Sequence, residues 1–285
     1  MKTSLVATLA SGRGRSAWVL PLLLGAVSQA ACAGSTGLRA GTSPGEAFGD
    51  AAAEARRNDS TVVLDPEDIV DAEDRTAADR DIDERRHPVE FLEFLAIAPG
   101  DHVADLGAGA CYTTELLARA VGPDGVVYAQ NDALTIEKYV KDSWPARLQR
   151  DVMKNVERMD LEFDAPFVPE AKDLALVTLM FSYHDVIAAE GDRAQLNLAV
   201  LRALEPGGRY VVADHRAAEG AGLEAASQLH RIEEAIVRSE IEAAGFEFVR
   251  KGSFLSSTSD DPSKPSFAVG FATDRFLLEF RKPLD

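Results

Sequence analysis

Cysteine is nearly absent from this 285-residue chain, which holds only Cys32 and Cys111. Once residue 32 is cleaved off or lipidated no internal disulfide is available, so cysteine usage says nothing about the redox compartment. Basic residues are also scarce: 30 Lys and Arg stand against 47 Asp and Glu, a net charge of −17. That field repels a phosphate backbone, so no nucleic-acid partner is expected and a small-molecule or protein substrate is favoured. The apolar run from Ala17 to Val27 is broken by Pro21 and Gly25. It falls short of the roughly 20 residues that a membrane-spanning helix needs.

What the N-terminus does contain is Lys2, Arg13 and Arg15 ahead of that run, and small residues after it through Gly34. This is the layout of an export signal. Ser28-Gln29-Ala30 and Ala31-Cys32-Ala33 both have the small-x-small form of a cleavage site. Ala30-Ala31-Cys32 also resembles a bacterial lipobox, although Gln29 stands where that motif favours an aliphatic residue. Three outcomes stay open: a cleaved periplasmic protein, one attached to a membrane through a lipidated Cys32, or an uncleaved extension. Removing residues 1–31 takes away three basic and no acidic residues, so −17 becomes −20. Residues 32–64, rich in Ala, Gly, Ser, Thr and Glu, are expected to be a flexible tether. Residues 65–86, dense in Asp, Glu and Arg, are expected to form an acidic cap, either solvated or part of substrate recognition. The folded domain is expected over residues 87–285.

From His87-Pro88 onward apolar patterning becomes regular. Val89, Phe91, Leu92 and Leu95 mark a helix face, ended by Pro99-Gly100. Strands are predicted at His102–Leu106, Val126–Gln130, Val156–Met159, Leu174–Phe181 and Tyr210–Ala213. Helices are predicted at Thr113–Ala120, Leu134–Tyr139 and Arg193–Ala203. The alternation implies an α/β, doubly wound, mostly parallel sheet with helices on both faces. The end departs from it: a helix at Leu229–Ala244, a strand at Phe246–Lys251, a polar insertion around Ser256–Ser266 and a last strand at Arg275–Arg281. Two strands joined without a helix imply a C-terminal antiparallel pair.

Val103 to Cys111, reading Val-Ala-Asp-Leu-Gly-Ala-Gly-Ala-Cys, runs from a strand through a glycine turn into a helix. Glycines there let a ligand approach the backbone, and the helix start offers free N–H groups. With Leu204-Glu205-Pro206-Gly207-Gly208 before the fifth strand and the closing antiparallel pair, the turn resembles the class I S-adenosylmethionine-dependent methyltransferase pattern. Gly122 to Asn131, Tyr183-His184-Asp185, Asp214-His215 and His230-Arg231 narrow the resemblance to a group of bacterial predicted exported methyltransferases of undefined substrate. It covers about His87 to Pro283. It implies a seven-stranded sheet, S-adenosylmethionine as cofactor, and methyl transfer to a small-molecule or protein acceptor.

By the same resemblance Asp105, Gly107, Gly109 and Tyr112 lie at the cofactor. Asn131, standing where related enzymes carry an acid, and its neighbour Asp132 are candidates for the ribose hydroxyls. Asp160 is placed near the adenine amino group, or else is a solvated loop carboxylate. The third glycine of the loop is Cys111, whose side chain either crowds the cofactor or points into the core.

Two adjacent strand ends carry Phe181-Ser182-Tyr183-His184-Asp185 and Asp214-His215, in the crevice where open α/β sheets bind ligands. Methyl transfer needs alignment, plus a base when the nucleophile carries a proton. His184 or His215 is the candidate base, Asp185 its neighbour, and Tyr183 a ring that could face the sulfonium. The bland alternative is that both histidines brace strand ends. His184, Asp185, Asp214 and His215 also offer metal ligands, but no tight spacing supports a metal and none is expected. His230-Arg231 is placed in a helix, anchoring a substrate carboxylate or pairing with Glu233 and Glu234; His87 is expected to be structural. The rival readings are an NAD(P)-dependent oxidoreductase, disfavoured because no tyrosine is followed by lysine four residues later, and an exported cofactor-binding protein without turnover. The second draws on the fact that the cofactor is made in the cytoplasm.

Overall fold

The computed structural model describes residues 65–285; the expected leader and tether lie outside the described residues. The order of the sheet follows from its most apolar strand. All seven residues of β4 (Leu174–Met180) are buried, as a strand covered on both faces requires. From Leu176 on its side chains alternate: Leu176 and Met180 join one hydrophobic cluster, Val177 and Leu179 the other. Each fully buried Val or Leu contributes about 1.5–3 kcal/mol, so this strand fixes the middle of the molecule. Around it lie β1 (His102–Leu106), β2 (Val126–Asn131), β3 (Val156–Asp160), β5 (Leu204–His215), β6 (Glu247–Gly252) and β7 (Arg275–Arg281), in the order β3-β2-β1-β4-β5-β7-β6.

Strands β3 through β5 are parallel, and β7 runs antiparallel between β5 and β6. The chain therefore winds away from β1 in both directions. The gap beyond the carboxyl ends of β1 and β4 is the switch point where such sheets bind ligands. Register sets what meets there: Asp105 is beside Thr178, Met180 beside Ala213, and His215 beside Arg275.

Helices α3 (Pro88–Leu95), α4 (Tyr112–Val121) and α5 (Ser143–Leu148) contribute to one cluster. The other draws on α6 (Tyr183–Ala188), α7 (Arg193–Ala203) and α9 (Glu234–Ala243). Residues 65–86, expected as a cap, fold as α1 (Pro66–Asp71) and α2 (Ala77–Arg86), which Asp65 and Thr76 cap by accepting backbone N–H bonds. Ile69 and Val70 enter the same cluster as Leu92 and Leu117. Arg75 donates to both oxygens of Asp83 at 2.7 Å and to the Val70 carbonyl, tying the two helices together.

Two boundaries differ from expectation. The proline-glycine turn belongs to β5, which starts at Leu204 and carries a register shift opposite Leu174/Leu176, with Gly207 at φ 78°. The helix expected over Leu229–Ala244 is broken: α8 (Glu224–Leu229) ends at His230, which is left-handed at φ 50°, and α9 begins at Glu234. Arg231 is the reason. Its guanidinium is fully buried and donates to Asp260 at 2.7 and 2.8 Å and to the Arg216 and Lys264 carbonyls. It therefore does not pair with Glu233 or Glu234 on a continuing helix.

Candidate active site

Three left-handed residues turn the chain from β1 into α4: Gly107 at φ 62°, Gly109 at φ 55° and Cys111 at φ 66°. The first two are glycines, for which this conformation carries no strain. Cys111 accepts it because its side chain is wholly buried in the core below, where burial raises its thiol pKa to about 12. Of the two readings of Cys111, the core is therefore where it points. The end of β2 braces the turn from the side. Gly107 N–H donates to Gln130 Oε1 at 3.0 Å and Gly109 N–H to Asn131 Oδ1 at 2.8 Å, while Asn131 Nδ2 returns a bond to the Gly109 carbonyl. Beneath it Asp105 accepts from Thr114 and Thr178 hydroxyls at 2.6 and 2.9 Å, and burial lifts its pKa to about 6.

At the tips of β4 and β5 a second group assembles around Asp214, which is fully buried. Its carboxylate accepts from the His184 backbone N–H at 2.9 Å and from the His215 N–H at 2.7 Å, and lies 2.7 Å from His184 Nδ1. His184 Nε2 lies 3.2 Å from Asp185 Oδ1. Burial alone would lower the imidazole pKa of His184. Asp214, with Asp185, reverses that and raises it to about 10. His215 goes the other way, down to about 4, through burial and the charges of His184, Arg86 and Arg275. Its Nδ1 has no hydrogen-bond partner. The structure thus separates the two candidate bases: His184 keeps its proton between two carboxylates, and His215 is neutral with a free ring nitrogen.

On the His215 side of the sheet lies Phe181, itself left-handed at φ 63° and held by its N–H bond to the Ala213 carbonyl. The Arg86 guanidinium sits 3.9 Å from the Phe181 ring centroid and that of Arg275 5.9 Å away. Among the described residues neither has a carboxylate partner. Burial and the Arg85 and Arg275 charges lower Arg86 to about 10, which leaves it charged. A cavity of about 630 Å³, lined by Asp68, Arg119, Gly122 and Asn155, opens at the amino ends of β2 and β3, away from these groups.

A family model described as protein-L-isoaspartate(D-aspartate) O-methyltransferase matches residues 71–219, more than half of the chain. The chain belongs to that family. The fold is shared with solved structures of low identity. A SAM-dependent methyltransferase from Aquifex aeolicus is 19% identical over 77% of this chain and 99% of that one, with a TM-score of 0.53. A proposed sarcosine dimethylglycine methyltransferase from Galdieria sulphuraria is 15% identical over 79% and 93%, with a TM-score of 0.50. The cyclase SpnF is 16% identical over 73% and 82%, also at 0.50. A cyclase on the same scaffold illustrates that the fold alone does not name the reaction.

The protein is a class I S-adenosylmethionine-dependent methyltransferase. Its glycine turn fits the cofactor: a Cβ built on Gly109 meets nothing within 4 Å, so that side of the turn is open, and the bonds from Gln130 and Asn131 hold it so. Gly107 differs, since a Cβ there would lie 2.7 Å from Ser182 Oγ; it lets β1 and the β4 tip approach each other.

Several expected site residues are directed elsewhere. Tyr183 is fully buried in the second hydrophobic cluster, donating from its hydroxyl to Glu240 and accepting from Asn197. Tyr112 donates to Asp83 on α2. Asn131 bonds Gly109 through both atoms of its amide, and Asp132 caps Thr135. Asp160 pairs with Arg158 at 2.7 Å and accepts from the Trp144 indole, and Arg158 holds its pKa low. Gln130, Arg86 and Arg275 were missed. A glutamine at the end of an apolar strand pattern, beside the expected acidic position, is the one usable signal; Arg86 reads in sequence as one more charge in an acidic stretch.

Proposed function

We propose that this methyltransferase methylates a carboxylate oxygen of an acidic acceptor seated against Arg86 and Arg275. The observation that carries the reading is the guanidinium pair at Phe181, which has no carboxylate partner among the described residues of a chain of net charge −17; Arg275 donates only to the Arg85 carbonyl. A partly buried charge is costly unless an opposite charge meets it. The bound cofactor supplies an electrophilic methyl on a sulfonium. The residues around it have to align a nucleophile and exclude water. A carboxylate is already a nucleophile and needs no base, which suits a site whose His215 is only weakly basic. The name of the family model, which specifies O-methylation at isoaspartate or D-aspartate, supports the same acceptor class. Arg86→Ala is expected to lower kcat/KM for a carboxylate acceptor roughly 10- to 100-fold, the loss of a charge-assisted contact. Affinity for S-adenosylhomocysteine should stay unchanged, and Arg86→Lys should recover part of the loss. Transfer of labelled methyl to a panel of peptides and small acids, read as base-labile methyl ester, tests it. Labelling confined to base-stable products, or an Arg86→Ala enzyme with parental kinetics, would remove the carboxylate reading.

We also propose that the protein is exported. Support comes from the basic residues before the Ala17–Val27 run and the small residues after it. Mass spectrometry of the protein from its native host should find a new terminus between residues 30 and 33, with a lipid mass only if Cys32 is first. An intact Met1 would exclude export by this signal.

A further inference from the structure

Across the β5 tip from the guanidinium pair, three ligand-bearing side chains converge. His184 Nε2 is 3.2 Å and His230 Nδ1 3.7 Å from Asp185 Oδ1, and one ligand atom from each of the three residues lies within 4.8 Å of the other two. We propose that His184, Asp185 and His230 form a binding site for one divalent transition-metal ion.

Metal–ligand bonds of about 2.0–2.2 Å place ligand atoms on one ion roughly 3–3.5 Å apart, close to the two distances from Asp185 Oδ1. Small rotations close the remainder, because the Asp185 and His230 side chains are 51% and 42% exposed. His184 is prepared for ligation. Its Nδ1 is held by buried Asp214 at 2.7 Å, which aims Nε2 at Asp185. A carboxylate on the far nitrogen is the usual companion of a metal-bound histidine, fixing tautomer and ring orientation. The ion takes the place of the Nε2 proton.

His230 is delivered by a strained residue. A left-handed histidine persists only where its surroundings over-determine it, and the next residue, Arg231, supplies that constraint through Asp260 and two carbonyls. The His230 ring then rests edge-on against His184 at 5.3 Å and Phe267 at 5.4 Å. Two imidazoles and one carboxylate suit zinc, iron or nickel better than magnesium or calcium. The site also differs from the set considered in the sequence. Both Asp214 oxygens are taken by His184 and His215 N–H groups, and His215 lies on the opposite face of the sheet, its ring 6.1 Å from that of His184. Three protein ligands leave open coordination positions at the strand tips.

The test is calorimetric titration of zinc into the tag-free mature chain, freed of metal by chelator, with S-adenosylhomocysteine titrated into the same preparations. One equivalent of zinc should bind. His230→Ala and Asp185→Ala should each weaken it at least 10-fold while keeping parental melting temperature, since both side chains are half-exposed. His215→Ala should bind zinc as the parent does. A parent that takes up no stoichiometric zinc, undiminished binding in both His230→Ala and Asp185→Ala, or loss of binding in a folded His215→Ala would each overturn the site. A parent that binds S-adenosylhomocysteine but no zinc overturns the ion and leaves the methyltransferase assignment standing. Zinc binding without carboxylate methylation upholds the ion and overturns the acceptor reading.

Discussion

Gly109→Val is expected to weaken S-adenosylhomocysteine binding at least 100-fold in a protein that still folds. The reasoning rests on what surrounds the position. A Cβ on Gly109 meets no protein atom within 4 Å, so a side chain there projects into the space a cofactor must enter. The backbone is left-handed at φ 55°, which costs an L-residue about 1–2 kcal/mol and a β-branched one more. Against a total stability of about 5–15 kcal/mol the variant remains folded, with a melting temperature lower by about 2–4 °C for each kcal/mol. Gly107→Val is not an equivalent experiment, because its Cβ would collide with Ser182 at 2.7–2.9 Å and displace the β4 tip. Loss of binding there would not be separable from local misfolding. Calorimetric titration together with a thermal scan decides the matter: a folded Gly109→Val protein that binds within threefold of the parent would move the cofactor away from this turn.

The sheet was legible in the sequence because both rules behind it are local. Apolar, β-branched runs alternating with helical patterns imply parallel strands covered on two faces, and β1, β2 and β4 appear within a residue of where that pattern puts them. The insertion of β7 between β5 and β6 was not legible, since pairing partners far apart in sequence leave no periodic trace. The break at His230 was hidden for a related reason. Nothing in Leu229–Ala244 punctuates a helix; what ends it is Arg231 reaching Asp260, some thirty residues away. The acidic stretch 65–86 hid its role in the same way, with only Ile69, Val70 and Ile82 among its charges to hint at a docked face.

At the site, residue types and strand ends were readable, and orientations were not. Which face a residue takes at the end of a strand depends on where pairing stops. Asp214 and His215 therefore end on opposite sides of the sheet, and Tyr183, one position before His184, turns into the other core. Polar side chains at β2 were assigned to the ligand because their type suits a diol. In the folded chain they satisfy the backbone of the glycine turn, a demand that sequence alone does not display. Arg86 was invisible for want of contrast, being one of several arginines in residues 75–86.

Asp214→Ala is expected to destabilise the protein by about 3–5 kcal/mol, the range for removing one partner of a buried charged pair. The carboxylate is fully buried and receives two backbone N–H groups as well as the His184 ring. Without it those N–H groups lose their acceptor, and His184 at 4% exposure must either charge alone in a buried site or lose its proton. At about 2–4 °C per kcal/mol the melting temperature should fall by roughly 10 °C. His184→Ala, which removes the ring but leaves the backbone N–H bonds to Asp214 in place, should destabilise less. The double variant should fall short of the sum, because part of the Asp214→Ala effect is the stranding of His184 itself. S-adenosylhomocysteine affinity should survive in both at temperatures where they are folded, since Gly109 and its Asn131 brace belong to β1 and β2. Thermal and urea unfolding of the three variants, with chelator present throughout so that no ion adds to the balance, provides the measurement. An Asp214→Ala protein within 1 kcal/mol of the parent, or strict additivity with His184→Ala, would mean that the carboxylate and imidazole are neighbours without being partners.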